Sequence, residues 1–327
     1  MSALASPRVE APSRGVALRR WMVERPLATL AVLLVVELVC ASAMVKGFFS
    51  IGQLPVILLA AAIVGTFAAG QTMAVLTGGI DLSASAVATA AGFAAAQADD
   101  RAAVAILGAL LFGALIGAIN GVGVGFVGVH PLIMTLGVGG ALTGGLLIYT
   151  SRMVHESVPP ALVKDLTTTR IFDLVPSGAL VWLGTAALLL ILLNRTRFGR
   201  LVYAVGDNAE ACRISGVRVG AVLLLVYTIA GMCAGLGGLL LAGYSNSSSL
   251  GMGDLYLLPS VAAVVIGGTS IMGGIGGLSG TVAGTLILSV LDTLLNVTNT
   301  SKSVRQLLYG LVILLVASVY GKSGDER

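Results

Sequence analysis

Long apolar runs alternate with short polar punctuation from one end of the chain to the other. Ten runs can be drawn. The first two are about Leu27–Val45 and Leu54–Leu76; a third begins after a break at Thr77–Ser83 and ends near Ala98. The others are about Ala103–Val127, Leu132–Thr150, Gly178–Leu193, Val219–Leu241, Leu255–Met272, Leu278–Leu295 and Leu307–Tyr320. A bilayer core of roughly 30 Å takes about 20 helical residues to cross. The pattern therefore predicts an all-α, polytopic membrane protein of about ten transmembrane helices. Between runs the punctuation is turn-like: Ala98–Arg101, Gly128–Pro131, Gly273–Gly277 and a Ser/Gly loop at Gly243–Asp254. The eighth run is interrupted at Gly267–Gly268. The connection Ser151–Ser177 is long, carries mixed charge and holds three prolines.

Composition supports this reading. The 327 residues are 57% hydrophobic and only 10% charged, too few charges for a soluble surface of that size. No stretch suffices for a separate soluble domain. The division expected is a cytoplasmic tail at 1–26, disordered up to Arg19, a membrane domain at 27–320 and a short tail at 321–327. Arg14, Arg19, Arg20 and Arg25 before an apolar run, with Ala41-Ser42-Ala43 after it, imitate a signal peptide. Glu37 within the run and Lys46 leading to another span argue against cleavage. Cys40, Cys212 and Cys233 form no C-x-x-C pair and read as free thiols, buried where they fall in spans.

The longest basic interruption is Asn194–Arg218, with Arg195, Arg197, Arg200, Arg213 and Arg218. Its middle, Gly206 to Ser215, reads as a short helix: Asn208 can cap it, Glu210 favours its first turn, Arg213 its last, and Gly216 stops it. This is either an ordinary solvated loop or a docking helix for a soluble partner. With ten spans both termini share a side with this segment. That side holds twelve lysines and arginines and the other seven. The excess of positive charge puts the termini and the segment in the cytoplasm. The net charge of +4 belongs with a membrane surface rather than with nucleic acid.

Charges at bilayer depth cost about 2.5–3.5 kcal/mol each on insertion scales, so Glu37, Asp81 and Asp292 stand out. Asp81 follows Gly78-Gly79, a pair able to break a helix. The site is either a polar turn at the surface or a break lining a pathway, tolerated only where protein or water covers the freed backbone. Asp292 suits a helix–helix hydrogen bond or a ligand group; Glu37 suits a snorkelling position or a face toward the second span. Ala74–Gly79 echoes Ala263–Gly268 at four of six positions, as paired glycine-interrupted spans at transport sites do. No catalytic constellation or metal site is visible: His155-Glu156 is followed by Ser157-Val158, not by x-x-H. Gly321-Lys322-Ser323 has Val316 where a nucleotide-binding loop needs glycine.

Thr77-Gly78-Gly79-Ile80-Asp81-Leu82-Ser83 resembles the T-G-G-I-D-L-S signature of ribose-type permeases, the membrane subunits of bacterial ABC importers for monosaccharides. His130–Gly137, with Thr135, is similar to that family's P-x-x-x-T-L-G element. Glu210–Gly216 resembles its E-A-A-x-x-x-G segment, and Ala262–Ser270 with Gly273-Gly274 its A-A-V-V-I-G-G-T-S and G-G stretch. The likeness covers roughly residues 50 to 320. It departs at Ala84-Ser85-Ala86, at Tyr256–Ser260, where acidic residues are commoner, and at Ala209 and Cys212.

The resemblance implies a type II ABC importer-like permease in the bacterial cytoplasmic membrane. Two permease chains would pair around a path, with membrane lipid around them. An extracytoplasmic sugar-binding protein would deliver the solute. ABC ATP-binding subunits would supply the energy, with ATP and Mg bound there and no cofactor on this chain. It implies coupling to the ATPase through Asn208, Glu210, Ala211, Arg213, Ser215 and Gly216. It implies a translocation pathway by Gly78, Gly79, Asp81, Ser83, Thr135, Gly267 and Gly268. Two readings stay beside it: a secondary transporter coupled to ions through Asp81 and Asp292, and an ABC permease for a non-sugar solute such as a nucleoside or polyol.

Overall fold

The computed structural model describes residues 25–48, 50–98, 101–151 and 158–321. The expectations for both tails, 1–24 and 322–327, lie outside the described residues, as does His155. In chain order the helices are α1 (Pro26–Met44), α2 (Leu54–Leu76), α3 (Ala84–Ala96), α4 (Ala102–Val122, continued by a π-helical turn Gly123–Val127) and α5 (Pro131–Ser151). Then come α6 (Ala161–Thr168), a two-residue antiparallel pair β1 (Arg170–Ile171) and β2 (Val175–Pro176), α7 (Ser177–Arg195) and α8 (Arg197–Ile214). The chain continues with α9 (Val219–Ser245), α10 (Asp254–Ile266), α11 (Leu278–Val297) and α12 (Lys302–Gly321).

Each of the ten predicted runs is a helix. Among the described residues seven, α1, α2, α4, α5, α7, α9 and α11, are long and apolar enough to cross a membrane. The short ones are α3 and α10, with 13 residues each. That is about 20 Å of helix, short of the roughly 30 Å core. Both adjoin a full-length helix through a glycine-rich break, α3 after α2 and α10 before α11. The eighth run, expected to reach Met272, ends at Ile266, because Gly267 and Gly268 turn the chain out of the helix. The tenth starts at Lys302 rather than Leu307.

The central element is α9, 27 residues long. It packs on α2, α3 and α4 through small residues. On α4 and α9, Gly113 and Gly231 face one another, and a Cβ on either would run into the other's carbonyl oxygen. Gly117 meets the Tyr227 carbonyl in the same way. Lipid supplies no hydrophobic drive between helices, so backbone approach through small residues supplies dispersion contact instead. At the periphery, α1 and α5 are largely exposed, with Val35, Val36, Ile133 and Leu136 uncovered. Cys40 is also exposed on α1, unlike the buried Cys233 of α9; all three cysteines are free.

Candidate functional site

The basic segment folds as α8, a longer helix than the expected Gly206–Ser215. Thr196 opens it, its Oγ1 accepting a bond from Gly199 N at 3.2 Å. The helix is broken at Asn208, whose φ of −154° and ψ of 94° are not helical. Asn208 thereby caps a second short turn, its Oδ1 accepting from Ala211 N at 2.8 Å. Arg213 pairs with Glu210 one turn away. Gly216 ends the helix with φ +83°, Gly216 N bonding to Arg213 O at 3.1 Å and Val217 N to Cys212 O at 2.9 Å. Asn208, Glu210, Ala211, Arg213, Ser215 and Gly216 are all exposed on this cap. So is Ile214, at 80%, which the sequence did not single out: one apolar residue in a polar segment shows no period.

The other half of α8 is fixed to the body of the protein. Val202 and Val205 are buried in the same cluster as Leu76, Leu193 and Val222. Gly206 meets the end of α2: a Cβ there would overlap the Leu76 carbonyl oxygen and lie 2.7 Å from Gly274 N. Gly274 N donates to that same oxygen at 3.0 Å. A Cβ on Gly273 would lie 2.8 Å from both Gly206 O and Gly78 N. Tyr203 Oη donates to Gly276 O at 3.2 Å. Burial raises the Tyr203 phenol above its ordinary pKa, which keeps it a donor. The end of α2, the turn before α11 and α8 thus touch backbone to backbone.

The two glycine breaks share one geometry. At the end of α2, Gly78 N bonds to Val75 O at 2.9 Å and Gly79 N to Ala74 O at 3.1 Å. At the end of α10, Gly268 N bonds to Val265 O at 2.9 Å and Thr269 N to Val264 O at 3.2 Å. Gly78 (φ +76°) and Gly268 (φ +82°) occupy the left-handed position that closes such a cap and that suits glycine. Gly78 therefore corresponds to Gly268, and the sequence echo, which matched Gly79 to Gly268, is one residue out of register. Gly267 is right-handed, φ −63°, and packs against Gly280 of α11.

Beyond the first break, Asp81 is 1% exposed. Gln71 clamps its backbone, Nε2 donating to Asp81 O at 2.6 Å and Oε1 accepting from Asp81 N at 3.2 Å. Asp81 Oδ1 accepts from Ser83 N at 2.9 Å and from Ser83 Oγ at 2.6 Å. Asn120 Nδ2 of α4 donates to Ser83 Oγ at 2.8 Å, and Thr135 Oγ1 of α5 donates to Ile80 O at 3.2 Å. A Cβ on Gly79 would overlap the Tyr227 hydroxyl. The structure thus gathers Gly79, Asp81, Ser83 and Thr135 into one buried polar nest among α2, α3, α4, α5 and α9, with Asp81 covered by protein. Gln71 and Asn120, missed in the sequence, carried one signal: each is the one amide side chain of an apolar span.

Asp292 of α11 lies at the far end of the bundle from this nest. It accepts from Arg305 Nη1 at 3.1 Å and Tyr309 Oη at 2.6 Å, both on α12, as a helix–helix hydrogen-bonding residue does. Glu37 on α1 is half-buried, with Oε2 buried and unpaired among the described residues.

Residues 54–317 match the family described as branched-chain amino acid transport system / permease component. The chain is similar to the fructose import permease protein of Rhizobium meliloti, 34% identical over 313 residues, covering 92% of this chain and 87% of the relative. It is similar to the ribose import permease protein of Escherichia coli K12, 33% identical over 314 residues, 93% and 95% covered. It is also similar to the autoinducer 2 import system permease protein of Yersinia enterocolitica, 31% identical over 268 residues, 80% of each covered. No solved structure matches it. The chain belongs to this family of import permeases and is a multi-pass membrane protein.

Proposed function

We propose that this chain is the membrane-spanning subunit of an ATP-driven importer that carries a monosaccharide inward. Relatives named for ribose and fructose import, each overlapping most of the chain, support the cargo class. The observation that carries the mechanism is the junction of Gly206 with Leu76 and Gly274. An exposed, capped turn is locked through backbone contact onto the breaks that end α2 and precede α11. A push on residues 208–216 passes through the kink at Asn208 to Gly206, whose backbone contact with Leu76 and Gly274 carries it on to the breaks at Gly78 and Gly273.

In this reading a pair of ATP-binding subunits grips Asn208, Glu210, Ala211, Arg213, Ser215 and Gly216, and those subunits hold ATP and Mg. A second permease chain pairs with this one, and an extracytoplasmic binding protein delivers the sugar. Gly78, Gly79, Asp81, Ser83, Thr135, Gly267 and Gly268 form the moving inner section of the path. The membrane is the bacterial cytoplasmic membrane, and the excess of arginine and lysine keeps the termini and α8 on its inner side. Commitment of Asp292 to Arg305 and Tyr309 favours a structural role there over ion coupling. One observation favours a second reading of the cargo: the relative named for autoinducer 2 admits a small polar solute that is not a sugar.

The test is reconstitution. The chain with its ATPase and binding protein in liposomes should accumulate labelled D-ribose or D-fructose only when ATP is supplied. Accumulation by this chain alone, driven by a proton or sodium gradient, would sink the proposal.

A further inference from the structure

At the end of the bundle away from α8, a recess with a mainly apolar lining opens among the first half of α2, the first turns of α10 and α12, the last turns of α11 and Thr168, Arg170 and Tyr244. Its α2 residues, Pro55 to Val64, lie about 18–32 Å along the helix from Leu76. Two adjoining cavities of about 140 Å³ and 260 Å³ share Val64, Tyr256 and Asp292. Together they reach the lower end of the about 300–1,000 Å³ usual for small-molecule sites.

Its polar groups are only partly satisfied. Asp292 and Arg305 are 3.1 Å apart, their side chains 41% and 16% exposed. Both bonds to Asp292 end on Oδ1, and among the described residues none reaches Oδ2. Arg305 Nε and Ser289 Oγ, on the walls, are buried without partners. A buried polar atom left unpaired costs about 1–3 kcal/mol; the acceptor of the ion pair left open to a guest is Asp292 Oδ2. A carboxylate beside a guanidinium offers an acceptor and a donor at the spacing of adjacent hydroxyls. Their opposite charges cancel at contact, and the exposed Lys302 and Arg170, which also border the recess, leave its lining net positive. Tyr256, stacked on Phe67 with ring centroids 5.8 Å apart, gives one wall a fixed aromatic surface suited to the C–H face of a ring.

We propose that this recess is a holding site for a polyhydroxylated solute of monosaccharide size, gripped through its hydroxyls by Asp292 and Arg305 and flanked by Tyr256. The proposal rests on the importer reading for its cargo class, and its test is separate from uptake. Asn296→Cys, at an exposed position on the recess, is introduced with Cys40, Cys212 and Cys233 replaced by alanine. Phe172→Cys, at a position 96% exposed and outside the recess lining, serves as control. Membranes are labelled with a charged methanethiosulfonate in the presence of D-ribose, D-fructose, D-galactose or D-ribose 5-phosphate. At least one neutral sugar should slow labelling of Asn296→Cys about tenfold at a concentration about ten times its Kd. None should slow labelling of Phe172→Cys, and Asp292→Asn should abolish the protection. No protection by any neutral sugar, protection by the phosphate alone, or protection that survives Asp292→Asn overturns the assignment. Protection without ATP-driven uptake by the complete importer would instead overturn the importer reading and leave the site standing.

Discussion

Gly206 and Leu76 meet through backbone alone: the α-carbon of one stands where any side chain would collide with the carbonyl oxygen of the other. That oxygen already accepts from Gly274 N at 3.0 Å, so it cannot retreat without breaking the bond that ties the turn before α11 to the end of α2. This contact makes the cytoplasm-assigned segment part of the membrane body.

Gly206→Ala should therefore disturb both the junction and transport. Overpacking against backbone costs about 1–3 kcal/mol, enough at its upper end to reduce uptake about tenfold or more. Gly184→Ala, at a position with open space around it, should leave both unchanged. Thermal unfolding in detergent and sugar uptake would be measured side by side. Equal behaviour of the two variants would refute the junction.

Glu210→Lys separates docking from stability. The Glu210–Arg213 pair is exposed, 66% and 62%, and exposed pairs contribute about 0–1 kcal/mol, so the melting temperature should barely move. ATP hydrolysis by the assembled importer should continue while uptake falls about tenfold or more. Gly216→Pro should act likewise, because proline can neither adopt φ +83° nor donate the N–H that bonds to Arg213 O. Wild-type uptake by either variant would end the coupling assignment.

Ser83→Ala removes the hydroxyl that donates to Asp81 and accepts from Asn120. It strands Asn120 Nδ2 at about 1–3 kcal/mol and leaves Asp81 Oδ1 only the bond from the backbone N–H of residue 83. Unfolding should shift to lower temperature by more than in Thr143→Ala, whose hydroxyl bonds only within its own helix. An equal shift would show that the nest contributes nothing to holding the break.

Gly113→Val should prevent α4 and α9 from closing, since the new side chain points into the Gly231 carbonyl. Expressed in cells, this variant should be degraded or migrate as a heterogeneous species in detergent, whereas Gly108→Val, in open space on the same helix, should not. Monodisperse Gly113→Val protein would disprove the contact.

Sidedness is tested by Ala211→Cys and Phe172→Cys, both at exposed positions. An impermeant thiol reagent added to whole cells should label Phe172→Cys and spare Ala211→Cys until the membrane is opened. The reverse pattern would invert the topology and remove α8 from reach of a cytoplasmic ATPase.

The sequence by itself determined the helices. Leu54–Leu76 was bounded to the residue, because an apolar run that must satisfy its own backbone in lipid has only the helix available. Asn208 as a cap and Gly216 as a stop were equally legible, since capping is local chemistry. Only the tertiary structure decided that Gly78 matches Gly268 rather than Gly267, that Gln71 and Asn120 share a nest with Asp81 and Ser83, and that Gly206 is pinned under Leu76. In a chain with 44 glycines, composition cannot say which one faces another backbone and which faces lipid. That depends on how helices distant in sequence rotate against each other, and contact between packed surfaces, not local periodicity, sets the rotation.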